Sequence, residues 1–356
     1  MLAPGVVTRF HDSDPTSPLR VFGVPKHMLL EFRVLGAPCS VTTATTLSLI
    51  RALEEAKAHP ARLVLNGRPG CGKSFLLLQA AQYASSSREW IVLYIPRARR
   101  LVDASTPYAY SLATRTYVQP RAARETLARL GRANAHLLAH LRTTVSVTLD
   151  GKTAAVPVRA GAPLLALVDA GTADEAAAPA ALDALLRELG VQTRFPVLLA
   201  IDDFQALAGG SMYRDPHFRM IRPHHLGLPR LLLEYASGRR TLARGLVLGA
   251  LTRSDPQFPV SDQLAASLRI PEEFEPTPRS AAPKTVRALR AIRVPDALSV
   301  REAAALFELW LDAGVLRTGA KEAGADELFL AKYAESSGNA RVFVWGGLLA
   351  TLQTLG

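Results

Sequence analysis

The sequence predicts an α/β fold: a buried parallel sheet sandwiched between helices in three layers, preceded by an N-terminal arm and followed by a small helical domain. Two observations predict it. Near-continuous apolar strands, "RLVL", "WIVLYI", "PVLLAID" and "RGLVLGALT", alternate with helical stretches, as strands buried on both faces do. The first of them runs into a glycine turn, "NGRPGCGKSF", and then a helix, "LLLQAAQYA".

The chain has 356 residues, 49% of them hydrophobic, enough for two domains with their own cores. No apolar run reaches the roughly 18 residues a spanning helix needs, so membrane insertion is not expected. Cys39 and Cys71 carry no metal or disulfide spacing. The net charge of +11 and pI near 10.0 favour a polyanionic partner, RNA ahead of an anionic membrane. Most of the basic residues are arginine, which suits bidentate phosphate contacts.

Residues 1–60 form the arm and its first helix. The apolar patch "HMLLEFRVLG" packs against the body, and "TATTLSLIRALEEAKAH" spaces Leu47, Ile50, Leu53 and Ala56 helically before Pro60 ends it. The N-terminus itself, acidic early and without an arginine-spaced amphipathic helix, matches neither a mitochondrial presequence nor a secretory signal.

Residues 61–255 carry the sheet, with an insertion at about 120–190. There "PRAARETLARLGRANAHLLAHLR" predicts an amphipathic helix, "TTVSVTLDGKTAAVPV" a hairpin turning at Asp-Gly, and "GTADEAAAPA" a low-complexity surface loop. Proline density predicts an extended linker over 256–297. A helical domain fills 298–356, where Ser299 is the expected N-cap of "VREAAALFELWLDAGVL" and "DELFLAKYAES" and "GNARVFVWGGLLATLQTL" follow.

Gly67, Arg68, Pro69, Gly70, Cys71, Gly72, Lys73 and Ser74 satisfy G-x-x-x-x-G-K-[ST] in its strand-to-helix context. Glycines let the chain curl so that backbone N–H groups face a phosphate, aided by the helix dipole. Lys73 is expected to reach the β- and γ-phosphates and Ser74 to ligate Mg²⁺. Asp202, ending the buried strand "VLLAID", is the expected magnesium-side carboxylate. Asp203 is either the catalytic residue that orients an attacking water or a simple strand-end carboxylate. Thr252, at the end of "LVLGALT", and Arg341, in "GNAR", are further candidates to sense the nucleotide. D-x-x-G and N-K-x-D are absent, so GTP, ATP and the diphosphates all stay open. His217, His224 and His225 lack metal-ligand spacing, while the arginines of "PRARR" and Arg121, Arg124, Arg129 and Arg132 read either as an RNA-facing stripe or as a solvated face.

"LNGRPGCGKSFLLLQA", "IPRARRLVDASTPYAYS", "VLLAIDDFQAL" followed by "SMYRDPHFRMIRPHHLGLPRLL", and "GNARVFVWGGLL" together resemble the death-associated protein three family, the P-loop protein of the mitochondrial small ribosomal subunit. The likeness runs from about residue 20 to the end. It implies a P-loop NTPase core similar to AAA+ and signal-transduction ATPases. It also implies a place in the matrix ribosome against small-subunit rRNA and ribosomal proteins, near bridges to the large subunit, with no homo-oligomer required. Gly67 to Ser74 would then be the family's phosphate loop, Asp202 its magnesium-side carboxylate, and Arg341 its basic residue after Gly-Asn. A structural role for the nucleotide is the leading expectation. The alternative is an active AAA+-like NTPase switch, with Asp203, Thr252 and Arg341 around the γ-phosphate, an arginine such as Arg239 or Arg240 supplied by a neighbour, and hydrolysis that rearranges the domains.

Overall fold

The computed structural model describes residues 3–10, 14–152, 154–270, 289–316 and 322–350. The arm contains β1 (Val7–Arg9), α1 (Pro18–Phe22), α2 (Lys26–Val34) and β2 (Cys39–Val41), with β1 and β2 paired antiparallel. Its apolar patch is the helix α2, and edge-to-face contacts run from Phe10 to Phe32 and on to Phe75, fastening the arm to the body. α3 (Ala44–Ala56) begins at a capping box in which Thr43 and Thr46 satisfy each other's backbone N–H groups, the two donors a helix start otherwise leaves orphaned.

The body proceeds through β3 (Ala61–Asn66), α4 (Lys73–Ser86), β4 (Ile91–Ile95), the hairpin β5 (Ala109–Ser111) and β6 (Thr116–Val118), and α5 (Pro120–Leu138). A second hairpin, β7 (Val147–Leu149) and β8 (Val156–Val158), leads to α6 (Leu165–Ala173) and α7 (Ala178–Val191). Then come β9 (Val197–Ile201), α8 (Gln205–Ala208), α9 (Gly227–Ser237), β10 (Gly245–Ala250), α10 (Asp262–Ser267) and β11 (Arg290–Arg293). The chain ends with α11 (Val300–Asp312), α12 (Glu322–Ser336) and a π-wound turn, Val342–Leu348.

The central sheet has five parallel strands in the order β11-β3-β10-β9-β4. β10, last of the four strands visible as apolar runs, inserts between the first and third, so the ends of β3 and β9 stand one strand apart. β9 and β10 are buried at every position, as expected for strands covered on both faces.

Two local expectations fail. "GTADEAAAPA" is not a surface loop: it supplies the end of α6 and the start of α7, and Ala177 and Ala178 are fully buried. A side chain at Gly171 would meet Leu127 Cδ1 at 2.5 Å and Ala181 Cβ at 2.8 Å, so the small residues there permit close helix packing. The proline-dense stretch 256–297 is not all linker either. It contributes α10 and the edge strand β11, which pairs with β3 from Arg290↔Leu63 to Arg293↔Asn66, and an edge is where a strand beside prolines is tolerated. Residues 271–288 of that stretch lie outside the described residues.

A second, smaller core gathers Phe307, Trp310, Val315, Leu316, Phe343, Val344 and Leu348, with Leu35 of the arm packed against it. Ser299 caps α11 through a capping box with Glu302.

Candidate functional site

The glycine turn lies between β3 and α4, at the C-terminal rim of the sheet, where open parallel sheets bind ligands. Gly70 and Gly72 have φ of +83° and +92°, conformations glycine adopts without strain. A Cβ on Gly70 would meet Asn339 Oδ1 at 2.5 Å and Arg341 Cβ at 2.8 Å, so this glycine also permits the C-terminal segment to press against the loop. The outside of the turn is held there: Asn339 Nδ2 donates to Pro69 O at 3.0 Å and the Arg341 N–H to Gly70 O at 3.0 Å. The Arg68 N–H donates to Asp296 Oδ1 at 3.2 Å.

Inside the turn, Lys73 Nζ donates to Gly67 O at 2.9 Å and Arg68 O at 2.7 Å. Burial lowers the Lys73 pKa, while Cys71 and Asp202 pull it back up. Lys73 and Ser74 open α4, where amides have no intrahelical acceptor and the dipole is positive.

Asp202 closes the site from β9. Its carboxylate is fully buried and its pKa is raised, first by that burial and then by the charge of Asp203, with the Ser74 hydroxyl and Lys73 opposing. The strand order thus brings the Ser74 hydroxyl and the Asp202 carboxylate together. The Asp202 carboxylate and the Ser74 hydroxyl are two oxygens of the kind a hard divalent cation takes, while the Lys73 ammonium already offsets part of the buried charge.

Asp203 is placed differently. It has φ +56° and its carboxylate pairs with the Arg99 guanidinium at 3.8 Å, which in turn pairs with Asp255 at 3.0 Å. Its pKa is raised by burial and held down by a hydrogen bond with Thr252 and the charge of Arg99. Thr252 therefore joins Asp203, and its own N–H donates to Gln205 Oε1 at 2.9 Å. Arg99, read in the sequence as part of a stripe, belongs to this network.

The cavity over the turn has a volume of about 640 Å³ and extends between arm and C-terminal helices, within the size range of ligand pockets. His27, Glu31, Ser40, Thr252, Arg253, Trp310 and Arg341 are among its lining residues. The Trp310 indole N–H and Arg253 Nε are buried without an acceptor among the described residues, donors that a water, an ion or a ligand in the cavity would satisfy. Across the mouth, Trp345 Nε1 donates to Glu31 Oε1 at 2.7 Å. Burial pushes the Glu31 pKa up to about 7, against the Trp345 hydrogen bond and the Arg341 charge. Burial, with Arg341 second, lowers His27 to about 4. Arg341 thus stands at this end of the cavity, with its backbone on the loop and its charge toward α2.

The other basic candidates lie elsewhere. On α5, Arg121 and Arg129 pair with Glu125, and Arg124 pairs with Glu175, so much of that row is an internally compensated face. Arg240 pairs with Asp183 and Glu234, each at 2.7 Å. No group of three or more histidine, cysteine or acidic side chains able to hold a metal occurs among the described residues, and Cys39 and Cys71 are buried free thiols. Sequence reasoning missed Glu31, Arg99, Gln205, Asp296 and Trp345. Glu31 in "HMLLEFRVLG", Arg99 in "PRARR", Gln205 in "IDDFQAL" and Trp345 in "GNARVFVWGGLL" lay in segments that had drawn attention for other reasons, and Asp296 lay in the expected linker.

Comparison with known proteins gives a family match. The family described as mitochondrial ribosomal death-associated protein 3 matches residues 40–344. A Neurospora crassa protein named small ribosomal subunit protein mS29 is 30% identical over 83% of this chain. A Schizosaccharomyces pombe protein of the same name is 29% identical over 67% of it. The chain spans 65% and 51% of the lengths of these two relatives.

Proposed function

The chain belongs to the mitochondrial ribosomal death-associated protein 3 family, and from that membership we propose that it is a structural component of the mitochondrial small ribosomal subunit. In this reading a purine nucleotide, GTP or ATP, with Mg²⁺ holds its α/β core together. It sits in the matrix ribosome against rRNA and ribosomal proteins, near a bridge to the large subunit. The relatives' names support the ribosomal part. The nucleotide part is carried by one observation: the Ser74 hydroxyl faces the Asp202 carboxylate, from positions far apart in the chain.

The sheet order, with β10 between β3 and β9, supports a P-loop NTPase core of the AAA+ and signal-transduction kind, with the nucleotide-binding domain at 61–255 and the helical domain at 298–356. The amides from Gly70 to Ser74 and the Lys73 ammonium would hold the phosphates, and Ser74 and Asp202 the magnesium shell. The Trp310 and Arg253 donors and the Glu31 side of the cavity would face the rest of the nucleotide. Bound there, the nucleotide supplies a polyanion touching the loop and both flanking segments at once. At a concentration about 100-fold above its Kd it adds about 2.7 kcal/mol to stability.

The Thr252 hydrogen bond and the Arg99 guanidinium at 3.8 Å anchor the Asp203 carboxylate, while burial outweighs both and leaves its pKa raised, so phosphate release decides between holding and turnover. Nucleotide extracted from purified small subunits tests both halves of the reading. The expected result is a purine nucleotide that co-sediments with the chain and whose phosphates stay unchanged over hours. Subunits carrying the chain without nucleotide would overturn the cementing role. Steady phosphate release abolished by Asp203→Asn would establish the switch instead.

A further inference from the structure

The segment "YRDPHF", which the nucleotide site does not use, forms a rigid hairpin from Tyr213 to Ile221. The Ile221 N–H donates to Tyr213 O at 2.9 Å, Arg214 bridges to Met220, and the Asp215 N–H donates to Arg219 O at 2.9 Å. Asp215 organises the tip. Its Oδ1 accepts the His217 and Arg219 N–H groups at 2.9 and 2.8 Å, and its Oδ2 accepts Arg219 Nε at 3.0 Å.

The result is Phe218 at φ +60° with 84% of its surface exposed. A phenylalanine held in the left-handed region and aimed at solvent gains nothing from folding, and backbone strain of this kind marks a functional constraint.

A second loop is welded to the first. Tyr213 is buried and its hydroxyl accepts Gln119 Nε2 at 2.9 Å and bonds the Thr106 hydroxyl at 2.6 Å. Tyr108 packs edge-on against Tyr213 at 4.8 Å and its hydroxyl donates to Arg214 O at 2.5 Å. This fixes the β5–β6 hairpin beside the tip, with Tyr110 half exposed and Arg115 at its turn.

Arg115, Arg214, Arg219 and Arg222 are all exposed here. Arg219 pairs with Asp215 at 3.0 Å, and no ion pair engages the other three among the described residues. The two acids of these loops, Asp103 and Asp215, bond backbone amides of their own turns. The face is therefore strongly basic with rigid aromatic rings standing out of it. Leu112, Met212 and Met220 are exposed in the same loops, and it is the arginines without ion-pair partners among the described residues, beside the rings, that favour a polyanion as the occupant.

We propose that this face is a binding surface for unpaired RNA, with Phe218 and Tyr110 stacking on bases and Arg115, Arg214 and Arg222 contacting phosphates. Aromatic platforms in a basic setting bind single strands in this way, and the pre-formed hairpin keeps the ordering cost low. The proposal rests on the ribosomal reading above. The face shares no residue with the nucleotide cavity.

The test uses the full chain and a fluorescein-labelled single-stranded RNA of about 20 nucleotides, free or annealed to its complement. Wild type is expected to prefer the single strand. Phe218→Ala is expected to weaken single-strand binding by on the order of tenfold without changing its salt dependence, and Phe218→Trp to restore it. Arg214→Ala should lower the salt slope by about one. Thermal melting checks that each variant folds, and co-sedimentation with small subunits is read in parallel. Equal affinity for duplex and single strand, or indifference to Phe218→Ala, overturns the proposal. Loss of a ribosomal protein contact with RNA affinity intact makes the partner a protein and also overturns it. A wild-type chain that binds the single strand yet fails to co-sediment refutes the ribosomal reading alone.

Discussion

The two ends of the cavity over the glycine turn are built in opposite ways. The loop end is a contiguous run, Gly67 to Ser74, completed by Asp202 one strand beyond β10. The other end is assembled from His27 and Glu31 of α2 and Trp310 of α11, with Arg253 after β10 and Arg341 reaching back to the loop. The first end draws its geometry from local backbone chemistry and the sheet. The second exists only while the arm and the C-terminal helices stay closed on the body, held by contacts such as Trp345–Glu31 and the Ala44 N–H donating to Glu302 Oε1 at 2.8 Å. The shape of the cavity therefore depends on packing outside the glycine turn as well as on the turn itself.

Trp310→Ala is the strongest way to break this contrast. Trp310 is fully buried in the small C-terminal core, and truncating a buried tryptophan costs about 4 kcal/mol. Hydrogen exchange is expected to accelerate across 300–349 while β3 and β10 stay protected, and nucleotide affinity is expected to fall although the phosphate loop is untouched. Equal acceleration in the sheet would show that the two ends are one cooperative unit.

Glu31→Gln sharpens it through pH. The Glu31 pKa rises from 4.5 to about 7 on folding, so the folded state binds the extra proton. Its contribution is fully present below pH 4.5 and is lost as pH rises through 7. The difference in unfolding free energy between wild type and Glu31→Gln should therefore shift against wild type by up to about 3 kcal/mol across that window. His27, lowered to about 4 from 6.5, has the opposite sign, binding fewer protons when folded. It is common to both proteins and so drops from the difference to first order. A flat difference would place Glu31 in solvent rather than at the closed mouth.

The same contrast explains what the sequence made legible. Apolar runs marked four of the five strands, because burial on both faces writes itself into composition, and the glycine motif with Lys73 and Ser74 is local by necessity. β11 was hidden by prolines around "RAIR", since an edge strand needs neither length nor full burial. The α6–α7 turn was hidden by its alanines, because close helix packing and a low-complexity loop share that composition. Glu31 and Trp345 meet across the whole chain, and no spacing rule joins residues that only the closed fold brings together. Arg99 carried a signal, charge, but its partners, Asp255 at 3.0 Å and Asp203 at 3.8 Å, are set by the fold.

The most direct measurement is the unfolding free energy of wild type and Lys73→Ala with and without magnesium nucleotide, GTP and ATP in turn. For wild type, one of the two at about 100-fold over its Kd is expected to add about 2.7 kcal/mol. For Lys73→Ala the same addition should give essentially nothing, whatever the ligand-free protein loses with its two charge-assisted loop hydrogen bonds, about 1.5–3 kcal/mol each. An equal gain in both proteins, or none in wild type with either nucleotide, would contradict the account.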